Sequence, residues 1–402
     1  MSRRAVQDYV ASCPSPVCGY VYDLVQLRRR CEQLRARLPA GCRLFYAVKA
    51  NCDPPILRTL LGVVDGFEVA SLGEIEKVRA IGADATIVFG GPGKTDAELE
   101  GALQHGVAMV HIESEHQLRR LDWLAGQRGA VADILLRVNP AHAPARANLR
   151  MGGQPTQFGI AQDQVPAVLE VVRQCRHVRL QGLHFHAVSN NLDARAHLAL
   201  VAHYLALASA WREQHGLPLH WLNAGGGIGV DYADPAHSFD WPGFCQGLAP
   251  LLATQAPFAP QLVFECGRFL AAGCGHYVAE VIDLKTCFGR WFAILRGGSH
   301  HFRLPSSWQH DHPCFVIERE HWPYPFARPT ALGQRITLCG ELCTPKDVLA
   351  RDVPLPRLRV GDCIAFPLAG AYGWHISHHD FLSHPHPQRL FLEDSGTWPC
   401  CA

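Results

Sequence analysis

Between residues 44 and 264 the chain repeats one pattern eight times: a short apolar, β-branched run, then a stretch with helical periodicity. The runs are 44–48, 66–70, 86–89, 108–112, 134–138, 180–185, 220–222 and 262–264. Helix-like stretches lie between them, at 73–81, 96–104, 114–124, 165–175 and 194–214 among others. Strands that alternate with helices form parallel sheets, because each crossover must return the chain to the same sheet end. Eight repeats predict a closed (β/α)8 barrel, with a doubly wound open sheet as the rival arrangement.

The texture changes near residue 275. Runs at 277–284, 291–295, 334–339 and 363–367 follow one another through turns and prolines with no helical period. They predict a second, antiparallel β-domain, which the strand-like stretch 17–22 is expected to join. The expected division is a barrel over 24–275 and a β-domain built from 1–23 plus 276–402.

Composition narrows the function classes. With 37 Lys and Arg against 36 Asp and Glu, the net charge is +1, and no basic block marks a nucleic-acid or membrane surface. The start, Met1-Ser2-Arg3-Arg4, lacks the apolar core of a secretory signal, and no uncharged apolar run has membrane-spanning length. Sixteen cysteines occur without a C-x-x-C pair, which fits buried thiols in a reducing cytoplasm.

In a (β/α)8 barrel the chemistry gathers at the C-terminal strand ends. The first run, Leu44-Phe45-Tyr46-Ala47-Val48, ends in Lys49. The second leads to Glu68 and Glu74. The sixth ends His184-Phe185-His186, with Ser189 close behind. The seventh ends Gly225-Gly226-Gly227-Ile228-Gly229, and the eighth Glu265-Cys266-Gly267-Arg268. Taken singly, each has a plain structural explanation; together they bring an amine, an imidazole, a glycine loop, a carboxylate and a guanidinium to one mouth. The loop completes neither phosphate motif. Gly93-Lys94-Thr95 would need glycine at Val88, and the run from Gly225 meets Val230 or Tyr232 where a dinucleotide fingerprint needs glycine. Its backbone N–H groups can still make an anion nest. Pyridoxal 5'-phosphate uses such a set: a lysine for its aldehyde, amides and an arginine for its phosphate, a carboxylate for its ring nitrogen.

The segments "FYAVKAN", "HFHAVSNN", "AGGGIG", "ECGR", "CGELCTPKDVL" and "GAYG" resemble those of fold-type III pyridoxal-phosphate decarboxylases, the group of ornithine and diaminopimelate decarboxylases. The resemblance implies an alanine racemase-like barrel with a β-domain, and a homodimer with shared active sites. It implies Lys49 as the lysine that carries the cofactor and His186 as the residue stacked on its ring. Ser189, Gly227, Gly267, Arg268 and Tyr372 would contact the phosphate, and Glu265 would pair with the pyridine nitrogen. Cys343 matches the cysteine that protonates the carbanion left by departing carbon dioxide, supplied by the neighbouring subunit.

Two departures stand out. Cys266 replaces the proline of the family's usual E-P-G-R, a backbone-shape position. Thr344 follows Cys343 where relatives carry an acid for the substrate's distal ammonium. A hydroxyl cannot offset a buried ammonium. The segment 297–315 also holds Arg303, His300, His301, His310, His312 and Trp308. It lacks carboxylates apart from Asp311 and has no helical ligand spacing, so no metal is expected. Arg303, His301 and Thr344 suit an anionic distal group. This segment resembles the siderophore-pathway decarboxylases of the staphyloferrin B type, which act on a citryl-2,3-diaminopropionate conjugate to give citryl-ethylenediamine. Diaminopimelate or another diamino acid is the alternative substrate. A non-catalytic cofactor-binding homologue is the alternative of another class, although such proteins tend to lose the lysine or cysteine that this chain keeps.

Overall fold

A computed structural model describes residues 3–141, 149–150, 153–234, 236–255 and 260–393. The chain divides into two compact units: one holds Arg28–Val230 and His237–Leu270, the other the chain up to Leu27, Asp231–Ala236 and the chain from Ala271.

In the first unit eight parallel strands close into a barrel: Cys42–Ala47, Gly66–Val69, Ile87–Phe89, Met109–Ile112, Ala132–Asn139, Val178–Phe185, Trp221–Asn223 and Gln261–Cys266. The last pairs with the first, Glu265 opposite Phe45, which excludes the open sheet. The connecting helices obey local rules. Asp96–Gln104 starts at a capping box in which Thr95 and Glu98 satisfy each other's backbone amides. Ala194–His215 is capped by Asp193 and ends on Gly216 in the left-handed region.

The barrel interior is built in tiers. Phe45, Val88, Met109, Leu135 and Val263 form a buried apolar cluster, with Trp221 packed against it. Side chains two apart on a strand share a face. The residues two positions beyond Met109, Leu135, Trp221 and Val263 are therefore also inward: His111, Arg137, Asn223 and Glu265. All four are buried. Glu68 and His184 complete this polar tier on the second and sixth strands, and the residues below them are Gly66 and Gly182. A Cβ at Gly66 would stand 2.6 Å from the Phe45 ring, and one at Gly182 would stand 1.8 Å from the Trp221 carbonyl oxygen. The first gap lets the Phe45 ring fill the plug, and the second lets the strand that carries Trp221 approach closely.

The second unit is a mostly antiparallel sheet. Its strands are Cys18–Asp23, Gly275–Cys287, Arg290–Leu295, Phe315–Ile317, Thr330–Cys339, Val348–Arg359, Cys363–Phe366 and Gln388–Leu392. The N-terminal strand pairs antiparallel with Gly275–Cys287, Tyr20 opposite Tyr277, and parallel with Gln388–Leu392. The helix Arg3–Ser12 lays Val6, Tyr9 and Val10 on a core with Val21, Val278 and Ala365. The short segment Asp231–Ala236 belongs here through Tyr232, whose ring stacks on His310 at 5.0 Å. Among the described residues no helix is long and apolar enough to cross a membrane.

Candidate active site

Lys49 sits in a one-turn helix, Val48–Ala50, directly after the first barrel strand. It is exposed, yet its Nζ lies 2.8 and 2.7 Å from the two oxygens of buried Glu68. Burial raises the proton affinity of Glu68, and the charge of Lys49 opposes this less strongly. The pair is an ion pair between an amine at the surface and a carboxyl whose burial strengthens its hold on a proton.

His186 follows the sixth strand. Its Nδ1 accepts the Gly226 amide at 3.2 Å, so the ring proton is on Nε2. Burial, with Lys49 and Arg137 nearby, keeps this imidazole far below its ordinary titration range and neutral. At Gly225, Gly226, Gly227 and Gly229 the loop passes too close to its neighbours for a side chain. A Cβ at Gly226 would lie 2.0 Å from the Glu265 carbonyl oxygen, and one at Gly227, where φ is +88°, would lie 2.3 Å from the Val188 carbonyl oxygen. The amides of Glu265 and Asn191 bind the Gly225 and Gly227 carbonyls at 2.8 and 2.7 Å and fix the loop. Gly267 is confined likewise: a Cβ there would be 2.8 Å from the Ala50 Cβ, beside Lys49. Arg268 follows it and is buried; Ser189 is half-buried on a short strand pair with Leu149–Arg150.

Glu265, inward on the last strand, accepts the Asn223 side-chain amide at 2.6 Å. On the fifth strand Arg137 binds Glu113 at 2.7 Å, and Glu113 also accepts the Gly91 and Gly159 amides at 2.9 and 3.0 Å. Lys94 is buried and donates to the carbonyls of Gly91 and His111 at 2.6 and 2.8 Å. Burial brings its ammonium down to about 7. The lysine of the false phosphate motif is thus a strap between two strand ends. Glu113, Arg137, Asn223 and His111 were not singled out from sequence. For Arg137, Asn223 and His111 the signal was the two-residue spacing from the apolar plug.

A glycine-only cradle, an amine at its rim and an ionisable carboxyl within the barrel match the donor set of pyridoxal phosphate. Lys49 would hold its aldehyde carbon, the loop backbone with Ser189, Gly267 and Arg268 its phosphate, and Glu265 its ring nitrogen. The family profile described as "Pyridoxal-dependent decarboxylase, pyridoxal binding domain" matches residues 24–272. This chain belongs to the pyridoxal-dependent decarboxylases. A Staphylococcus aureus protein named 2-[(L-alanin-3-ylcarbamoyl)methyl]-2-hydroxybutanedioate decarboxylase is 48% identical to this decarboxylase over 377 residues, 94% of each chain. A diaminopimelate decarboxylase of Bacteroides thetaiotaomicron is 31% identical, over 88% of this chain and 90% of the other. The crystal structure of Helicobacter pylori diaminopimelate decarboxylase complexed with L-lysine superposes with a TM-score of 0.85 at 25% identity, covering 97% of this chain and 94% of that one.

The remaining predicted residues of the decarboxylase lie in its β-unit. Cys343 is exposed and Thr344 half-buried, in the loop between strands Thr330–Cys339 and Val348–Arg359. Buried Asp347 organises that loop, accepting the amides of Ser299 and Leu342 at 2.6 and 2.9 Å. Its own amide donates to the Thr344 carbonyl at 3.2 Å. Tyr372 has a φ of +54°, a strained setting for a bulky residue that points to a positional requirement. Arg303 is exposed, its backbone amide on the Ser377 hydroxyl at 3.0 Å. His301 is fully buried, with Nδ1 3.5 Å from the Cys18 sulfur and its ring 6.0 Å from Trp374. Within this chain it has no exposed face to offer a ligand.

Proposed function

We propose that this decarboxylase releases the α-carboxylate of a citrate amide of L-2,3-diaminopropionate as carbon dioxide and leaves a citryl-ethylenediamine, a siderophore building block. The observation that carries the reading is the 48% identity, across 94% of both chains, with the decarboxylase named for that substrate. That name describes an α-amino acid at one end and a hydroxy-dicarboxylate at the other. Thr344 agrees, since an uncharged hydroxyl beside Cys343 suits a substrate without a distal ammonium. Exposed Arg303 is the proposed fork for the distal carboxylates, with buried His301 supporting its loop.

Bound pyridoxal phosphate supplies an aldehyde for the substrate amine and a cationic ring that takes up the electron pair left on Cα when carbon dioxide departs. The chain's own residues do the rest. Glu68 takes a proton from Lys49 Nζ and leaves the amine nucleophilic. Glu265 keeps the pyridine nitrogen protonated, and neutral His186 offers a flat face without adding charge. The proposed proton donor to Cα is Cys343, and Tyr372 the proposed phosphate contact from the β-unit. We place the enzyme in the cytoplasm as a homodimer that exchanges Cys343 between subunits; thiols such as Cys31, Cys42, Cys245 and Cys266 suit a reducing compartment.

Purified holoenzyme is given the citryl conjugate, meso-diaminopimelate, ornithine and lysine separately, and carbon dioxide release is measured. The conjugate is expected to turn over fastest. Faster turnover of meso-diaminopimelate would end the substrate reading, and no release from any of them would favour a non-catalytic homologue.

A further inference from the structure

Three side chains of the polar tier converge on the Glu265 carboxylate. Asn223 donates to Oε1 at 2.6 Å, His184 Nε2 stands 3.4 Å from Oε2, and His111 Nδ1 stands 3.9 Å from Oε1. They come from the fourth, sixth and seventh strands; the sixth and seventh are paired, and the fifth lies between the fourth and the sixth. The two imidazoles stack at 4.1 Å with 26° between their planes and are buried.

The tautomers follow from the contacts. Asn223 Nδ2 lies 3.5 Å from His111 Nε2, and an amide N–H needs a bare ring nitrogen there. The proton of His111 is therefore on Nδ1, the atom that faces Glu265. A bare Nε2 on His184 would set its lone pair against a carboxylate oxygen, so that nitrogen carries its proton. Burial keeps both rings uncharged, helped by the rings' mutual repulsion at His111 and by the nearby cations Arg137, Lys94 and, for His184, Lys49. These donor atoms lie within 4.8 Å of one another, as metal ligands would. Stacked rings, however, aim their in-plane lone pairs side by side rather than at one point, and here protons face the carboxylate.

We propose that His111 and His184 are positioning residues whose two neutral N–H groups, one facing each oxygen without closing a hydrogen bond in this structure, aim Glu265 at the cofactor's ring nitrogen. The inference rests on the reading of Glu265 as that nitrogen's partner. Neutral N–H dipoles steady the carboxylate without placing a cation where it would drive the proton off the pyridine ring. An imidazolium would place one there.

The test uses holoenzyme reconstituted with pyridoxal phosphate labelled with nitrogen-15 in the ring, whose resonance reports protonation of that atom. In the unsubstituted enzyme the resonance is expected at the protonated position. His111→Phe with His184→Phe should move it to the unprotonated position, while His111→Asn with His184→Gln should hold it. An unmoved resonance in the folded Phe variant overturns the proposal. Glu265→Gln should move it by itself; if it does not, the reading of Glu265 fails and this inference with it. A second measurement needs no substitution. Histidine labelled with nitrogen-15 should show His111 as the Nδ1–H tautomer and His184 as the Nε2–H tautomer at neutral pH. Either ring found charged, or in the opposite tautomer, also overturns the proposal.

Discussion

Lys49 and Glu68 meet through both carboxylate oxygens, at 2.7 and 2.8 Å, with the amine exposed and the acid buried. The buried acid thus holds the exposed amine in place, and burial strengthens its hold on a proton. Lys49→Ala should abolish the visible absorbance of bound cofactor, and borohydride trapping of the unsubstituted enzyme should label the peptide that contains Lys49. Glu68→Gln should keep the absorbance while slowing turnover about 100-fold, the usual worth of a positioned acid or base. Steady-state kinetics beside a spectrum separate the two; a label on another lysine would remove the assignment.

The glycine cradle gives a steric prediction. Gly226→Ala places a methyl 2.0 Å from a backbone oxygen, so the loop must move. Cofactor affinity should drop about tenfold or more, corresponding to at least about 1.4 kcal/mol. Equilibrium dialysis of the apoenzyme reads this directly. Affinity unchanged from the unsubstituted enzyme would mean the loop does not touch the phosphate.

The loop that carries Cys343 hangs on Asp347. Cys343→Ala should retain the cofactor spectrum and lose correctly protonated product. Asp347→Asn should do the same in weaker form, because it loosens the Ser299 and Leu342 amides without removing the thiol. Product analysis by mass spectrometry in deuterated water tests both variants.

How much of this could be read beforehand differs by tier. Strand ends were legible because Lys49, His186 and Glu265 each terminate an apolar run, and helices such as Asp96–Gln104 announce themselves with caps. The helix Trp241–Ala253 was not: two glycines and two prolines lower its propensity, and it forms because Trp241, Phe244 and Leu248 bury against the barrel unit. Nor was the union of Asp231–Ala236 with the β-unit, which depends on a ring contact across distant sequence. The polar tier was written in the two-residue period, but three of its six strands have only three or four residues, too short for that period to be noticed before the plug is known.

Substrate choice turns on single side chains. Thr344→Asp should shift the ratio of kcat/KM toward diamino acids roughly tenfold, through one new ion pair worth about 1.4 kcal/mol. Arg303→Ala should raise KM for the citryl conjugate about 10–100-fold with little change in kcat, since hydrogen bonds to charged groups are worth about 1.5–3 kcal/mol. Competition kinetics with both substrates present checks the pair.

Stability should depend on acid through His197, buried against Phe239 and Phe244 and lowered by burial to about 4 from 6.5. The unfolded chain binds the proton first, so stability rises with pH across this window. The contribution is complete above 6.5 and lost as pH falls toward 4; the shift corresponds to about 3 kcal/mol. Urea unfolding at several pH values should show the slope, and His197→Phe should reduce it by this share, the other buried histidines keeping theirs.

Phe45, seated over Gly66, closes one end of the barrel with Val88, Met109, Leu135 and Val263, all hydrocarbon or thioether. Hydrogen ions can therefore reach Glu265, His111 and His184 from one direction only. Once the mouth is filled, the charge state inside becomes a property of the loaded complex rather than of the surrounding buffer.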